Sequence, residues 1–222
     1  MFRVILLMLV MWTSECLWAT AQVPDTLLFQ GKTHDLHVNP LSRFFEENPE
    51  LKPESEVTVT SNWRGYEATF SIVNDQLYVN DITVLRKGFF KWNDIRDVSV
   101  IRDVFPEKLD RRLKWYSGLL ISPKGKVVKY IHGGYASQFE RYLLIRVKKG
   151  IVTEYAEMTL EQWKTYKQRQ FEAYKQTKEY QTLYRDIAAE LPSFTDQQVE
   201  DAIFQMEGYV QSEELPFKEK GK

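Results

Sequence analysis

The sequence predicts an α+β fold, in which an antiparallel β-sheet made of successive hairpins is followed by two amphipathic helices. Short β-type runs broken by turn residues fill residues 25–155, and the apolar residues then take a helical period over residues 159–211. Successive hairpins imply antiparallel pairing, because parallel strands need long crossover connections. A sheet of this kind can also curl.

The first segment has the features of a secretory leader. Arg3 supplies an early positive charge, the apolar run 4–12 follows, and Ala19 and Ala21 place small residues at a cleavage site. This run is about half the roughly 20 apolar residues that a spanning helix needs. We therefore expect cleavage near Ala21, export to the periplasm or the medium, and no stable membrane span afterwards; the alternative is an uncleaved anchor. Cleavage would also remove Cys16, the only cysteine, and with it disulfide and thiol chemistry.

Composition narrows the class of protein. The 222 residues are 43% hydrophobic and 14% aromatic, which is typical of a globular chain. The 30 basic side chains balance 31 acidic ones, which argues against a nucleic-acid-binding domain. Residues 22–222 are expected to form one domain, whose charged end, residues 212–222, is frayed.

The strand-rich part begins with a short helical turn at residues 39–45. Residues 63–73 then alternate between apolar and polar side chains, as a half-buried strand requires. Asn74 and Asp75 form a turn into a second strand, residues 76–84. Further strands are predicted at residues 115–121, 126–131, 139–147 and 151–155, with turns at Pro123-Lys124-Gly125 and Lys149-Gly150.

Two capping boxes open the helical part. Thr159 with Gln162, and Thr195 with Gln198, supply side chains that satisfy free backbone N–H groups at a helix start. The first helix is predicted to run without a break over residues 159–190. Its aromatic stripe has to be covered, either by the sheet or by a second copy of the chain. A homo-oligomer formed through this helix is therefore kept as an alternative.

A first candidate binding string contains Trp63, Arg64 and Tyr66. By strand alternation Arg64 falls on the apolar face, where an unpaired charge is very costly. One interpretation is an arginine that closes the core through an ion pair. The other is an arginine at the mouth of an aromatic pocket that grips an anionic group with two parallel hydrogen bonds.

A second candidate string runs from Tyr130 to Tyr142 and contains His132, Tyr135, Glu140 and Arg141. Its two adjacent glycines let the backbone turn sharply or approach a ligand closely. Histidine titrates near neutral pH, so His132 could act as a general base beside Glu140. The other interpretation is a β-turn closed by hydrogen bonds. We expect the two strings to lie within side-chain reach of each other.

These strings resemble those of a group of uncharacterised bacterial proteins. The matching residues are W-R-G-Y at 63–66, W-x-S-G at 115–118 and Y-x-H-x-G-Y-x-S-x-F-E at 130–140. The resemblance covers about residues 27–152 and leaves the helical part uncovered. It implies a bacterial origin and a joint role for the strings, and it carries no known activity or ligand.

The sequence also argues against a metal site, a cofactor site and an α/β-type serine hydrolase. His34 and His37 would face opposite sides of a strand, so no metal site is expected. Neither a phosphate-binding loop nor a dinucleotide motif occurs, so no cofactor is expected. The missing G-x-S-x-G elbow excludes an α/β-type serine hydrolase. Lys164 and Lys167 lie among acidic residues, which is typical of a solvated helix face.

The sequence thus favours an exported, non-enzymatic module that binds a small molecule or a protein through the two strings. The alternative is a hydrolase or transferase without a recognisable motif. In that alternative His132 and Glu140 would be catalytic, and Arg64 would hold an anion or an oxyanion.

Overall fold

The computed structural model describes residues 21–88, 94–206 and 210. Residues 1–20 of the predicted leader 1–21 and the charged end at 212–222 lie outside these residues. The predicted fold class is confirmed: a large, mostly antiparallel sheet is followed by helices at the C-terminal end. The strands are β1 (Asp25–Phe29), β2 (Lys32–Leu36), β3 (Glu67–Val73), β4 (Gln76–Lys87), β5 (Ile95–Ser99), β6 (Gly118–Lys129), β7 (Gln138–Lys148) and β8 (Ile151–Thr159).

The helices that lie between strands are short, and the helices that follow β8 are longer. They are α1 (Ser42–Glu47), α2 (Ile101–Val104), α3 (Leu160–Tyr174), α4 (Lys178–Glu190) and α5 (Asp196–Met206). Single 3₁₀ turns occupy Pro49–Leu51, Thr60–Asn62 and Lys108–Arg111. In the described part of the chain, no helix has the length and hydropathy that crossing a membrane requires.

The strands form one sheet in the order β2-β1-β3-β4-β8-β7-β6, with β5 paired to β4. Neighbouring strands are antiparallel except β1 and β3, which run parallel. After β2, the His37 N–H donates to the Ile121 carbonyl of β6 at 2.8 Å. This hydrogen bond joins strands from the two ends of the order, so the sheet is curled.

The curled sheet has two apolar faces, and each face belongs to a different hydrophobic core. The inner face holds one core, to which Leu143 and Ile145 of β7 contribute. The next residues on the same strand, Tyr142 and Leu144, point outward into a second core beneath the C-terminal helices. Both faces of β7 are therefore covered, which explains why its sequence reads as a continuous apolar run. Buried residues of the second core on the helices are Trp163, Tyr166, Phe171, Tyr180, Ile187, Val199 and Ile203.

The first hairpin forms as predicted, but its first strand starts later. Gly65 has φ +83°, a left-handed conformation that interrupts a strand, and β3 begins only at Glu67. Tyr66, Ala68 and Phe70 are buried as the alternation predicts. A bulge between Thr69 and Phe70 then disturbs the period.

The predicted turn at Pro123-Lys124-Gly125 is wrong. β6 continues through it and pairs with β7, with register shifts on either side of Val127. Gly125 has φ +79°, which lets the strand absorb the irregularity instead of reversing. The chain reverses later, between Lys129 and Gln138.

The predicted unbroken helix over residues 159–190 is also wrong. α3 ends at Tyr174, and the Thr177 side chain caps a new helix by accepting from the Tyr180 N–H at 3.2 Å. Both predicted capping boxes are confirmed. The Thr159 and Thr195 hydroxyls each accept from the N–H three residues on, and Gln162 and Gln198 return the bond.

Candidate functional site

Arg64 lies beneath the surface, with 3% of its side chain exposed. Its guanidinium pairs with the Asp25 carboxylate at 3.1 Å and donates to the Val23 carbonyl at 2.9 Å. A further bond goes to the Asn39 side-chain oxygen. Arg64 thus closes the end of the core through an ion pair, the first of its two interpretations, and Asp25 is the partner that the sequence did not reveal.

Tyr135 joins Arg64 through shared acceptors. Its hydroxyl lies 2.9 Å from Asn39 Oδ1 and 3.2 Å from the Val23 carbonyl oxygen. The two candidate strings therefore meet at these two acceptors. Burial raises the pKa of Tyr135 to about 12, so its hydroxyl stays neutral. Burial also raises the pKa of Asp25 to about 6, against the opposing charge of Arg64.

The rest of the first string divides between core and surface. The Tyr66 ring is buried, 5.3 Å from the Arg64 guanidinium carbon, and burial raises the pKa of its hydroxyl. Trp63 is 69% exposed, although its backbone N–H donates to the Gln22 side-chain oxygen at 3.3 Å. Only Arg64 and Tyr66 of this string therefore belong to the buried network.

The remaining residues of the second string make other contacts. The Tyr130 hydroxyl lies 2.9 Å from His132 Nδ1, and both side chains are exposed. The Glu140 carboxylate accepts from the Lys126 N–H at 3.0 Å, at the irregular stretch of β6. Arg141 is exposed on β7. Glu140 thus supports the β6 irregularity, while Arg64 sits in a separate buried network.

A pocket of about 560 Å³ opens beside this network. One wall is the connection between β6 and β7, a second is α3, and a third is the end of α5. Tyr135 faces the pocket from the first wall, and so ties it to the Arg64 network. The side chains that define the pocket further are His37, Ser137, Tyr142, Trp163, Lys164, Lys167 and Phe204.

His37 is a titratable residue among those that line the pocket. Its ring stacks on Tyr135 with 4.8 Å between centroids and meets Phe139 edge-on at 5.4 Å. Burial lowers the pKa of His37 to about 4, although Asp35 opposes that shift. The imidazole is therefore neutral at pH 7, with one nitrogen that donates a hydrogen bond and one that accepts.

The charges at the pocket are all positive among its described lining residues. Lys164 and Lys167 come from successive turns of α3, and the described residues that line the space include no aspartate or glutamate. Lys167 Nζ lies 5.5 Å from the Trp163 ring, a cation–π distance. Lys164 pairs with Glu161 at 2.9 Å on the outer side of the helix.

Sequence reasoning missed most of this pocket. The two lysines were interpreted as part of a solvated face, and His37 was considered only as a metal ligand. The spacing of the lining residues on α3 could have indicated this wall of the pocket. Residues 160, 163, 164, 167 and 168 lie on one face of the helix. That face is partly apolar and partly basic, which is unusual for a surface that is merely solvated.

Within residues 21–88, 94–206 and 210, no three histidine, cysteine, aspartate or glutamate side chains lie together in a way that could hold a metal ion. The fold and the pocket together define a curled α+β sheet with a ligand-sized cleft under its helices. No protein-family model, curated protein or solved structure matches the chain.

His37 should make the stability of the protein depend on pH. The unfolded chain binds a proton at His37 near pH 6.5, whereas the folded chain does so only near pH 4. Acid therefore favours the unfolded state between these values, and the stability is complete above the unfolded pKa. Between about pH 7.5 and pH 5, the free energy of unfolding should lose about 2 kcal/mol through this group.

Urea unfolding of wild type and His37→Phe at both pH values measures this contribution. Phenylalanine keeps a ring against Tyr135 and removes the titration, so the variant should lose about 2 kcal/mol less than the wild type. His132→Phe is the matched control, because it removes an exposed imidazole. Parallel losses in wild type and His37→Phe would contradict the assignment.

Proposed function

We propose that the protein is an exported, non-enzymatic binding module whose ligand is a small organic molecule held in the pocket between the β6–β7 connection and α3. One observation carries the proposal, the cleft of about 560 Å³ with aromatic walls and a few convergent polar groups. Small-molecule sites have this character and commonly span about 300–1,000 Å³. Export rests on the leader predicted from residues 1–21.

The wall formed by the β6–β7 connection is held in place before any ligand arrives. Tyr135 is anchored through Asn39, and the Ser137 hydroxyl lies 3.0 Å from the Ile131 N–H and 3.2 Å from the Ile131 carbonyl oxygen. These bonds fix both sides of the connection. A ligand that enters a preformed cleft loses less free energy to ordering the protein, which favours a binding role.

Filling the cleft should weaken ligand binding. Ala136 is exposed and lines the pocket, so Ala136→Trp places a large ring in the space without disturbing the core. Titration with N-phenyl-1-naphthylamine, a neutral dye that fluoresces in apolar surroundings, should give saturable one-to-one binding to the wild type. We expect the variant to bind the dye at least about tenfold more weakly, a loss of about 1.4 kcal/mol.

Ala189→Trp is the matched control, since Ala189 is exposed on α4 and does not line this pocket. It should bind the dye like the wild type, and both variants should keep the wild-type melting temperature. Unchanged dye binding in Ala136→Trp would place the dye elsewhere and remove the support for this pocket as the binding site.

A further inference from the structure

A cluster of charged side chains lies on the inner face of the curled sheet, away from the pocket. Its first members are Lys32 and His34 of β2, which lie opposite Phe29 and Leu27 of the inner-face core. Residues paired across antiparallel strands project from the same face, so both side chains are on the inner side. Phe29 ends β1, so this cluster is at the end of the strand away from Asp25.

Three further strands add charges at the same end of the sheet. Lys124 of β6 lies opposite Arg141 of β7, and Glu157 of β8 lies opposite Leu143, an inner-face residue. Arg141 precedes Leu143 by two residues and therefore shares its face. The Lys124 ammonium pairs with the Glu157 carboxylate across β7, and both charges act on His34. Four strands thus bring three cations, one carboxylate and one imidazole together.

The carboxylate of this cluster is used by one of its cations. The hydrogen bond from Lys124 lowers the pKa of the Glu157 carboxyl. Lys32 and Arg141 are exposed and act on Glu157 at longer range, and neither forms an ion pair with another described residue. Glu140, also on β7, accepts instead from a backbone N–H of β6 at 3.0 Å. A bound anion would relieve the repulsion among the three cations.

Two uncharged donors lie beside these cations. Burial lowers the pKa of His34, and Lys124 adds to the shift, so the imidazole is neutral at pH 7 and can donate one hydrogen bond. Ser122 precedes Lys124 by two residues on the same face of β6 and is 2% exposed. Its hydroxyl has no hydrogen-bond partner among the residues that the structure describes. A buried hydroxyl without a partner is unfavourable, and this one points to a ligand group that accepts from it.

We propose that this cluster is a second binding site, which takes a phosphate group. The Arg141 guanidinium has the planar fork that donates two parallel hydrogen bonds to phosphate oxygens, and Lys32 and Lys124 add charge without demanding a fixed geometry. The site is separate from the pocket, whose lining residues Ile121 and Tyr142 belong to the outer core. It therefore does not rest on the proposed function.

Isothermal titration with inorganic phosphate at pH 7 and low ionic strength tests the site. The wild type should bind one phosphate per chain, and Lys32→Gln/Arg141→Gln should bind it at least about tenfold more weakly. Glu157→Gln should bind it about threefold more tightly, because the carboxylate competes for Lys124 and repels the anion. A general loss of structure would weaken binding in both variants and could not produce these opposite effects.

Ser122→Ala tests the buried hydroxyl. Because this hydroxyl has no partner in the described chain, its removal should leave the melting temperature unchanged or raise it. Phosphate binding should nevertheless weaken about threefold, since one donor to the ligand is lost. A purely structural serine would change the melting temperature and leave phosphate binding as it is.

Two controls separate the site from general effects. Lys178→Gln/Arg185→Gln removes one lysine and one arginine from exposed positions on α4 and should leave phosphate binding unchanged. Ala136→Trp, which fills the pocket, should also leave it unchanged. Melting temperatures of all variants establish that the fold is retained.

Phenyl phosphate distinguishes free phosphate from a phosphate carried by a larger molecule. Tyr155 lies two residues before Glu157 on the same face and is 54% exposed, so its ring can contact an attached group. Equal affinity for both probes assigns free phosphate. Tighter binding of phenyl phosphate that Tyr155→Ser removes assigns a phosphate attached to an aromatic group.

Three results would overturn the proposal. They are no phosphate binding to the wild type at millimolar concentrations, wild-type affinity in Lys32→Gln/Arg141→Gln, and weaker binding in Glu157→Gln. None of them bears on the pocket, because the dye titration of Ala136→Trp tests the proposed function independently. Failure of dye binding would likewise leave the phosphate site intact.

Discussion

Replacing Arg64 by methionine is expected to lower the free energy of unfolding by about 3–5 kcal/mol at neutral pH, because it strands a buried carboxylate. Asp25 is fully buried, and its Oδ1 accepts from the Ala68 N–H at 2.9 Å. Oδ2 faces Arg64 at 3.1 Å, and no described residue donates a hydrogen bond to it. Methionine keeps much of the length of arginine. The loss of stability therefore comes from the missing charge rather than from a cavity.

Urea unfolding curves measure the effect, and acid gives an internal check. Arg64 lowers the pKa of Asp25 against the effect of burial, so its removal should raise the folded-state pKa of Asp25 further above the unfolded value of 3.8 than in the wild type. The folded variant then binds a proton more readily than the folded wild type, so its deficit should shrink as the pH falls. A deficit that is the same at all pH values would argue against a stranded carboxylate.

Two further variants separate the pair from its surroundings. Arg64→Met/Asp25→Leu removes both charges and should recover most of the lost stability. Arg43→Met breaks the surface pair with Glu47, in which the two side chains are 83% and 59% exposed, and should cost under about 0.5 kcal/mol. If Arg64→Met lowers the free energy of unfolding no more than Arg43→Met does, the buried pair contributes little to stability.

Gly150→Ala is expected to destabilise the protein by about 3 kcal/mol, from backbone strain and a steric contact together. Gly150 turns the chain from β7 into β8 with φ +73°, and a Cβ would lie 2.5 Å from the Leu113 carbonyl oxygen. The same residue donates to the Tyr116 carbonyl at 2.8 Å and accepts from the Leu77 N–H at 2.9 Å. Relief of the contact by backbone movement would weaken these bonds.

Gly31→Ala isolates the conformational part of this loss. Gly31 has φ +71° in the turn between β1 and β2, and a Cβ there would meet nothing within 4 Å. It should cost only about 1–2 kcal/mol of left-handed strain. Thermal or urea unfolding of both variants gives the comparison, and equal losses would show that the Leu113 contact is relieved without cost.

The features that the sequence predicted are those set by neighbouring residues. The alternation around Phe70 reflects the pleat of one strand, and the Thr159 and Thr195 capping boxes close within four residues. The turn at Asn74 needs only left-handed backbone, which asparagine tolerates. Local physics decides each of these, so a single sequence suffices.

The features that it missed depend on distant segments. β2 is largely polar and was not recognised, because its place in the sheet is set by pairing with β1. Gly125 was interpreted as a turn, because a glycine in a bulge and a glycine in a hairpin look alike without the partner strand. The pocket was not predicted for the same reason, since it exists only where the β6–β7 connection, α3 and α5 meet.

The contacts of Tyr135 also bear on how fast the chain can reach this structure. Its bonds to Val23 and Asn39 span 112 and 96 residues, and the bond from Arg64 to Val23 spans 41. Loops of that size must close before the contacts repay their entropy, and proteins dominated by such contacts fold slowly. Arg64 therefore acquires its full set of neighbours only after synthesis has passed Tyr135.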